Sequence, residues 1–205
     1  MYLDTKHKIL FIHIPRTGGS WLGYKMMDFC IDPIYRGVGQ EIFTKTGEKY
    51  PVGRHTTLDK IYSLQHYIED DINTYYKFAV SRHPYTRFIS TFDYFKNITD
   101  TAERHNLKTL EDMMSWIEDG ADKQHILPQS YWYDERFNNF YKFENIEDLN
   151  LQLWIPKWHN SDTIIQKGKR RGIKKSKHKT KLSEKLKERI FKFYNKDFYL
   201  FDYVR

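Results

Sequence analysis

Residues 11–22, FIHIPRTGGSWL, set an arginine, a threonine, two glycines and a serine between an apolar run and a stretch of helical character. A strand ending at Pro15, a Gly18-Gly19 turn and a helix beginning near Ser20 would aim several backbone N–H groups at one point. The helix dipole reinforces that field, so the natural guest is a phosphate or a sulfate. Arg16 adds a full charge and a fork of parallel donors, and Ser20 adds a hydroxyl. A plain strand-to-helix turn that needs glycine for positive φ is the alternative. The Walker A pattern G-x-x-x-x-G-K-[ST] is missing, because Gly18-Gly19 runs into Ser20-Trp21 with no lysine beside the hydroxyl. That counts against a P-loop nucleotide kinase.

A second constellation lies in YKFAVSRHPYTRFISTFDYF, residues 76–95. Arg82 falls at the C-terminal end of a predicted strand, where open α/β sheets bind their ligands. Ser90 follows on the helix that Pro84 opens, and a strand-end arginine and a helical hydroxyl can converge on one phosphate. A surface arginine is the plainer reading of that turn taken alone. Metal-ligand spacings, cysteine clusters and a G-x-S-x-G nucleophile elbow are all missing, which fits direct transfer chemistry with no metal and no covalent enzyme intermediate.

The elements that must position these residues follow an α/β rhythm. Lys8 to Ile14 reads as a buried strand and Gly19 to Phe29 as the helix after it. Residues 31–54, with four glycines and Pro51, read as an irregular loop. Leu58, Ile61, Leu64 and Ile68 have helical spacing, with Thr56 and Asp59 as a capping box. Tyr75 to Ser81 reads as a strand, and Phe88, Phe92 and Phe95 line one side of the helix from Pro84. Thr109 to Glu118 is an amphipathic helix closed by Gly120. Asn139 to Phe143 is a further strand, and Leu182, Leu186, Ile190 and Phe193 build a last helix.

The whole chain of 205 residues reads as one domain, with enough length to bury a core. Its 34 basic against 27 acidic residues give +7, which favours an anionic partner. A single cysteine, Cys30, permits no intrachain disulfide and suits a reducing, cytoplasmic setting. No apolar run is long enough for a signal peptide or a membrane span. Residues 166–181 hold nine Lys or Arg and no acid. This basic loop leaves open a nucleic-acid- or polyanion-binding protein, although it lacks the interleaved aromatics that stack on bases.

PRTGGSW after the first strand and SRHPYTRFIST after a later one resemble the two donor-binding motifs of the sulfotransferase superfamily. The similarity is to carbohydrate sulfotransferases of the heparan 2-O and chondroitin types and to their short bacterial relatives. GRHTTLDKI, LPQSYWYDERFNNFYKFENIEDL, IPKWHNS and FYNKDFYLFDY are similar to further family segments in the same order. The resemblance implies a P-loop NTPase-like α/β fold with a central parallel sheet flanked by helices. It implies 3′-phosphoadenosine 5′-phosphosulfate (PAPS) as sulfuryl donor, adenosine 3′,5′-bisphosphate as product, and a hydroxyl acceptor, expected on a carbohydrate. Arg16, Thr17, Gly18, Gly19, Ser20 and Trp21 would cradle the 5′-phosphosulfate, and Arg82 with Ser90 the 3′-phosphate. Arg16 stands where the family usually has lysine, which puts its action on the leaving oxygen in doubt, since arginine is a fixed fork. His55, in the matching histidine segment, is the expected base, with a packing or capping role as the alternative. His13, His83 and His159 are weaker rivals. Trp132, Tyr133, Trp154 and Trp158 could stack on sugar rings or belong to the core.

Overall fold

The computed structural model describes residues 1–4, 7–27, 41–43, 49–68, 70–148 and 181–205. The chain opens with a hairpin, β1 (Tyr2–Asp4) against β2 (Ile9–Ile12), so the expected first strand is shorter and has an antiparallel neighbour. The loop after β2 leads into α1 (Gly19–Met27). Within the stretch expected to be irregular, β3 (Glu41–Phe43) and β4 (Lys49–Pro51) pair with each other as an antiparallel ribbon. Alternation over three residues is too short a signal to stand out from the surrounding glycines. Next come α2 (Leu58–Ser63), β5 (Tyr76–Ser81), α3 (Pro84–Asn97), α4 (Thr101–Arg104), α5 (Leu110–Glu118), β6 (Asn139–Lys142) and α6 (Glu184–Leu200).

The central sheet has the order β1-β2-β5-β6, with β2, β5 and β6 parallel and β1 as an antiparallel edge. All four residues of β2 are buried, because helices cover both faces. Leu10 and Ile12 point to a core with Leu58, Ile61, Leu64 and Trp132. Ile9 and Phe11 point to the opposite core, with Leu22 of α1, Phe78 and Val80. A third apolar cluster joins α3, α5 and α6 through Phe88, Phe92, Phe95, Met113, Ile117, Leu186, Ile190 and Phe198. The triple phenylalanine stripe of α3 is thus core, at roughly 1.5–3 kcal/mol of burial per ring.

Three local expectations are corrected. The cap of α2 is Thr57, whose hydroxyl accepts from Lys60 N–H, one residue after the expected Thr56. The long helical pattern from residue 55 breaks after Ser63 into a short 3₁₀ turn, Gln65–Tyr67, and a second one at Ile72–Thr74. In α6 the buried residue is Tyr194 and its neighbour Phe193 is exposed, because the apolar stripe follows the four-residue spacing of Leu186, Ile190, Tyr194 and Phe198. The capping box of α5, Thr109 with Asp112, and the left-handed Gly120 after it are as expected. Among the described residues no helix is long and apolar enough to cross a membrane. Cys30, Trp154, Trp158, His159, the IPKWHNS segment and residues 166–180 lie outside the described residues.

Candidate active site

Parallel pairing of β2 with β5 decides where the chemistry gathers. The register sets Ile12 beside Ala79, so the chain leaving β2 and the chain leaving β5 emerge side by side at the C-terminal edge of the sheet. The first of these is the glycine loop. Arg16 has φ +67 and Gly18 φ +86, two left-handed positions that turn the loop back toward α1. Such a backbone costs an arginine on the order of 1 kcal/mol, so its surroundings must hold it. The Thr17 hydroxyl donates to the Ile14 carbonyl at 2.9 Å, which turns that side chain inward. Gly18 has no room for a Cβ, because Phe143 lies against it. The Gly18 carbonyl accepts from Leu22 N–H at 3.1 Å and starts α1, leaving the N–H groups of its first turn pointing outward. Ser20 is exposed there, and Trp21 packs half-buried on the Phe11 core.

The second chain carries Arg82, and a buried clamp holds it. Gln129 accepts from Arg82 N–H at 2.8 Å and donates its amide to the Arg82 carbonyl at 2.8 Å. Gln129 is held in turn by Asp197 of α6, which accepts the N–H groups of Gln129 at 2.7 Å and Ser130 at 2.8 Å. The Arg82 guanidinium lies 4.4 Å from the Phe143 ring centroid and donates to the Arg16 carbonyl at 3.2 Å, which braces the left-handed residue. Arg16 itself donates to Ser90 Oγ at 3.0 and 3.3 Å, and its guanidinium lies 4.7 Å over the Tyr94 ring. Arg87, fully buried, ties the loop to the sheet edge by donating to the carbonyls of Pro15 at 3.0 Å and His125 at 3.2 Å. None of the three arginines has an ion pair to a carboxylate among the described residues. Burial holds Arg82 down to about 10, partly offset by Glu144. Arg16 and Arg87 are lowered for the same first reason. Partly desolvated cations without a counterion are what a bound anion relieves.

Beside the arginines lie three histidines. The His55 ring sits 4.6 Å from that of His13 and 5.2 Å from that of His125. His55 Nδ1 is 2.8 Å from the His13 carbonyl, which can only accept. Nδ1 therefore carries the proton and Nε2 holds the open lone pair. Burial pushes His55 down to about 3 against the pull of that hydrogen bond, with His125, the first amino group of the chain and Arg54 adding to the effect. His125 is held at about 4 by burial, then by Arg16, Arg87 and Arg54. His13 is buried, its Nδ1 has no hydrogen-bond partner among the described residues, and its ring fills the space a Cβ on Gly19 would need. The carbonyl of His55 is fixed by Trp132 Nε1 at 2.8 Å and Gln124 at 3.1 Å. His55 borders a cavity of about 390 Å³ whose walls include Thr56, Thr57, Asp59, Lys60, Ser63, Gln124 and Tyr131. Among the described residues no group of His, Cys, Asp or Glu side chains is arranged to hold a metal ion.

A family model described as Sulfotransferase family matches residues 1–204. The chain belongs to the sulfotransferase family. No curated protein and no solved structure matches it. The family's fold is of the P-loop kind, in keeping with the mostly parallel four-stranded sheet seen here, and the chain is a sulfotransferase enzyme.

In this sulfotransferase the two arginine motifs read from the sequence meet at one edge, where Arg82 donates to the Arg16 carbonyl and Arg16 donates to Ser90 Oγ. His55 lies beside His13 and next to a cavity. The rival His83 caps α3 by accepting from Tyr85 N–H at 3.3 Å, and its Nε2 lies 3.0 Å from the Val204 carbonyl. Trp132 is core, and Tyr133 stacks on Phe140. Sequence reasoning missed Arg87, Tyr94 and His125. Arg87 and Tyr94 were visible as the residues three before and four after Ser90 on the α3 face that meets the loop. His125 stands just ahead of the Pro-Gln-Ser segment, with only its nearness in sequence to point at it.

Proposed function

We propose that the chain transfers the sulfuryl group of PAPS to an acceptor hydroxyl on a carbohydrate, directly and in line, with His55 as base. The observation that carries the donor reading is the pair Arg16 and Arg82, joined at the glycine loop with no carboxylate partner among the described residues. The outward N–H groups of Gly19, Ser20 and Trp21, with Gly18 making the turn and Thr17 bracing it, would hold the 5′-phosphosulfate. Arg82 and Ser90 would hold the 3′-phosphate that separates this donor from ATP. The donor supplies an activated sulfuryl group. The chain supplies position and charge, which dominate catalysis in displacements of this type. His55 Nε2 would take the hydroxyl proton as the acceptor oxygen bonds to sulfur and the bond from sulfur to the phosphate oxygen breaks. The fixed Nδ1–H bond to His13 supports that assignment, because it leaves one nitrogen to accept.

Hydroxyl, amide and charged side chains line the cavity beside His55, and the Tyr131 ring at its rim is 57% exposed. Polar walls with one open aromatic suit a sugar. A single cysteine suits a cytoplasmic setting. The test is transfer of labelled sulfate from PAPS to a glycan panel, read by product mass, for the native chain and His55→Ala. The variant should bind adenosine 3′,5′-bisphosphate nearly as well and transfer at least about 100-fold more slowly. A variant that loses bisphosphate binding instead would return His55 to a structural role, and a native chain that gives no product overturns the reading.

A further inference from the structure

Arg16 departs from the family lysine, and the structure shows where its side chain goes. It does not extend over its own loop. It crosses to α3, where Nε and Nη2 both donate to Ser90 Oγ, at 3.3 and 3.0 Å. Its guanidinium lies over the Tyr94 ring, 4.7 Å from the centroid, one helical turn beyond Ser90. The same Tyr94 ring also stacks with His125, at 4.7 Å and 19°. His125 is itself fixed from behind, since its carbonyl accepts from Arg87 at 3.2 Å. The result is that Tyr94 carries both the Arg16 guanidinium and the His125 ring, with the guanidinium bonded to the residue expected at the 3′-phosphate.

Only arginine can make this arrangement. A planar guanidinium stacks on an aromatic ring and bonds a hydroxyl with two of its nitrogens at once, whereas a lysine ammonium is a compact point charge on a flexible stem. Arg82 meets the same residue at its backbone, donating to the Arg16 carbonyl at 3.2 Å, while its Nε donates to Thr86 Oγ1 at 3.2 Å. One cation is therefore seated on the Ser90 hydroxyl, and a second braces the backbone of the residue that carries it.

We infer that Arg16 is a specificity residue for the 3′-phosphate of the donor and that Tyr94 is the positioning residue that holds it there. The inference rests on the PAPS reading and refines it. The arginine that replaces the loop lysine serves the adenosine end, and the leaving oxygen is served by the loop's backbone N–H groups.

Binding of two probes separates the possibilities, because adenosine 3′,5′-bisphosphate carries both phosphates and AMP only the 5′ one. Dissociation constants for both are measured by calorimetry on the native chain, Arg16→Ala, Tyr94→Leu and Tyr94→Phe, with melting curves to establish that each variant is folded. Arg16→Ala should weaken the bisphosphate about tenfold or more and change AMP less than about threefold, the scale of one charge-assisted contact. Tyr94→Leu should weaken the bisphosphate selectively as well, and Tyr94→Phe, which keeps the ring, should restore the native preference. Equal losses of both ligands in Arg16→Ala would put the side chain at the 5′ end and overturn this inference alone. A native chain that binds the two probes equally would overturn the donor reading and this inference with it.

Discussion

Replacing Asp197 with asparagine keeps the shape of a fully buried side chain while removing one acceptor and one charge. In the native protein one carboxylate oxygen takes the Gln129 N–H at 2.7 Å and the Gln129 amide at 3.4 Å, and the other takes the Ser130 N–H at 2.8 Å. An asparagine can accept on one side only and presents N–H to N–H on the other. A buried donor without an acceptor costs ~1–3 kcal/mol, and the surviving bond, now to a neutral group, weakens by about 1 kcal/mol more. Asp197→Asn should thus destabilise the fold by ~2–4 kcal/mol, a large part of the total stability of a typical domain. In urea, with a slope of about 2 kcal/mol/M, the midpoint should fall by ~1–2 M at unchanged slope. Tyr199→Ser, on an exposed site of the same helix, is the control and should stay within about 0.5 kcal/mol. Since Gln129 carries the backbone of Arg82, bisphosphate affinity should fall in the folded variant too. A loss below about 1 kcal/mol would refute the reasoning and mean that the clamp is held elsewhere.

Gly19→Ala should remove transfer activity and lower the melting temperature, because the new methyl meets the His13 ring, whereas Gly53→Ala, with open space at its Cβ, should leave both as they are. Acid should destabilise the protein well before its carboxylates titrate. His13, His55 and His125 are all held below the usual histidine value, so between about pH 6.5 and 4 the unfolded chain binds protons that the folded one refuses, and stability falls as pH falls. Each group in that window contributes about 1.4 kcal/mol per pH unit, and a melting temperature that stays flat from pH 7 to pH 5 would contradict the shifts.

The parts of this fold that were legible in the sequence are those with a local cause. Pro84 opens α3, and Phe88, Phe92 and Phe95 on that helix are core, because proline at the first turn and a three-to-four apolar spacing act within one helix. The Thr109–Asp112 box was readable for the same reason. The two arginine-bearing turns stood out as anion-site candidates because glycine and arginine cluster at the ends of predicted strands. What stayed hidden depends on contacts across the chain. Arg16 is separated by 74 residues from the Ser90 it binds, and Asp197 by 68 from Gln129. The Pro-Gln-Ser and Tyr-x-x-Asp-Phe segments could be recognised as family pieces, but their joint task of gripping Arg82 has no trace in either alone. Thr56 and Thr57 show the limit at the smallest scale. Two adjacent threonines offer two caps, and only the approach of the chain to the sheet chooses between them.

His55 poses a chemical problem whose resolution is itself a prediction. An imidazole held at about 3 has little affinity for a proton in the free protein, yet the proposed role asks it to accept one. Burial is the first cause, and it stays when ligands bind. The second group of causes is positive charge, carried by Arg54 throughout and by His125 and the first amino group whenever they are protonated, which a neighbouring anion would offset. If the proposed donor site and base are right, a bound donor would raise the proton affinity of His55 when a proton must be accepted, and the free enzyme would keep its imidazole neutral meanwhile. The observable is the His55 ring, titrated by NMR in the free protein and with adenosine 3′,5′-bisphosphate. The free form should show no protonation above about pH 5, and the bound form should titrate at least about one pH unit higher than the free one. A titration that the bisphosphate leaves unmoved, or moves downward, would mean that its negative charge does not lie next to this histidine. The base would then have to be sought among side chains that do face the donor, with His125, stacked between Tyr94 and the edge of His55, as the first to examine.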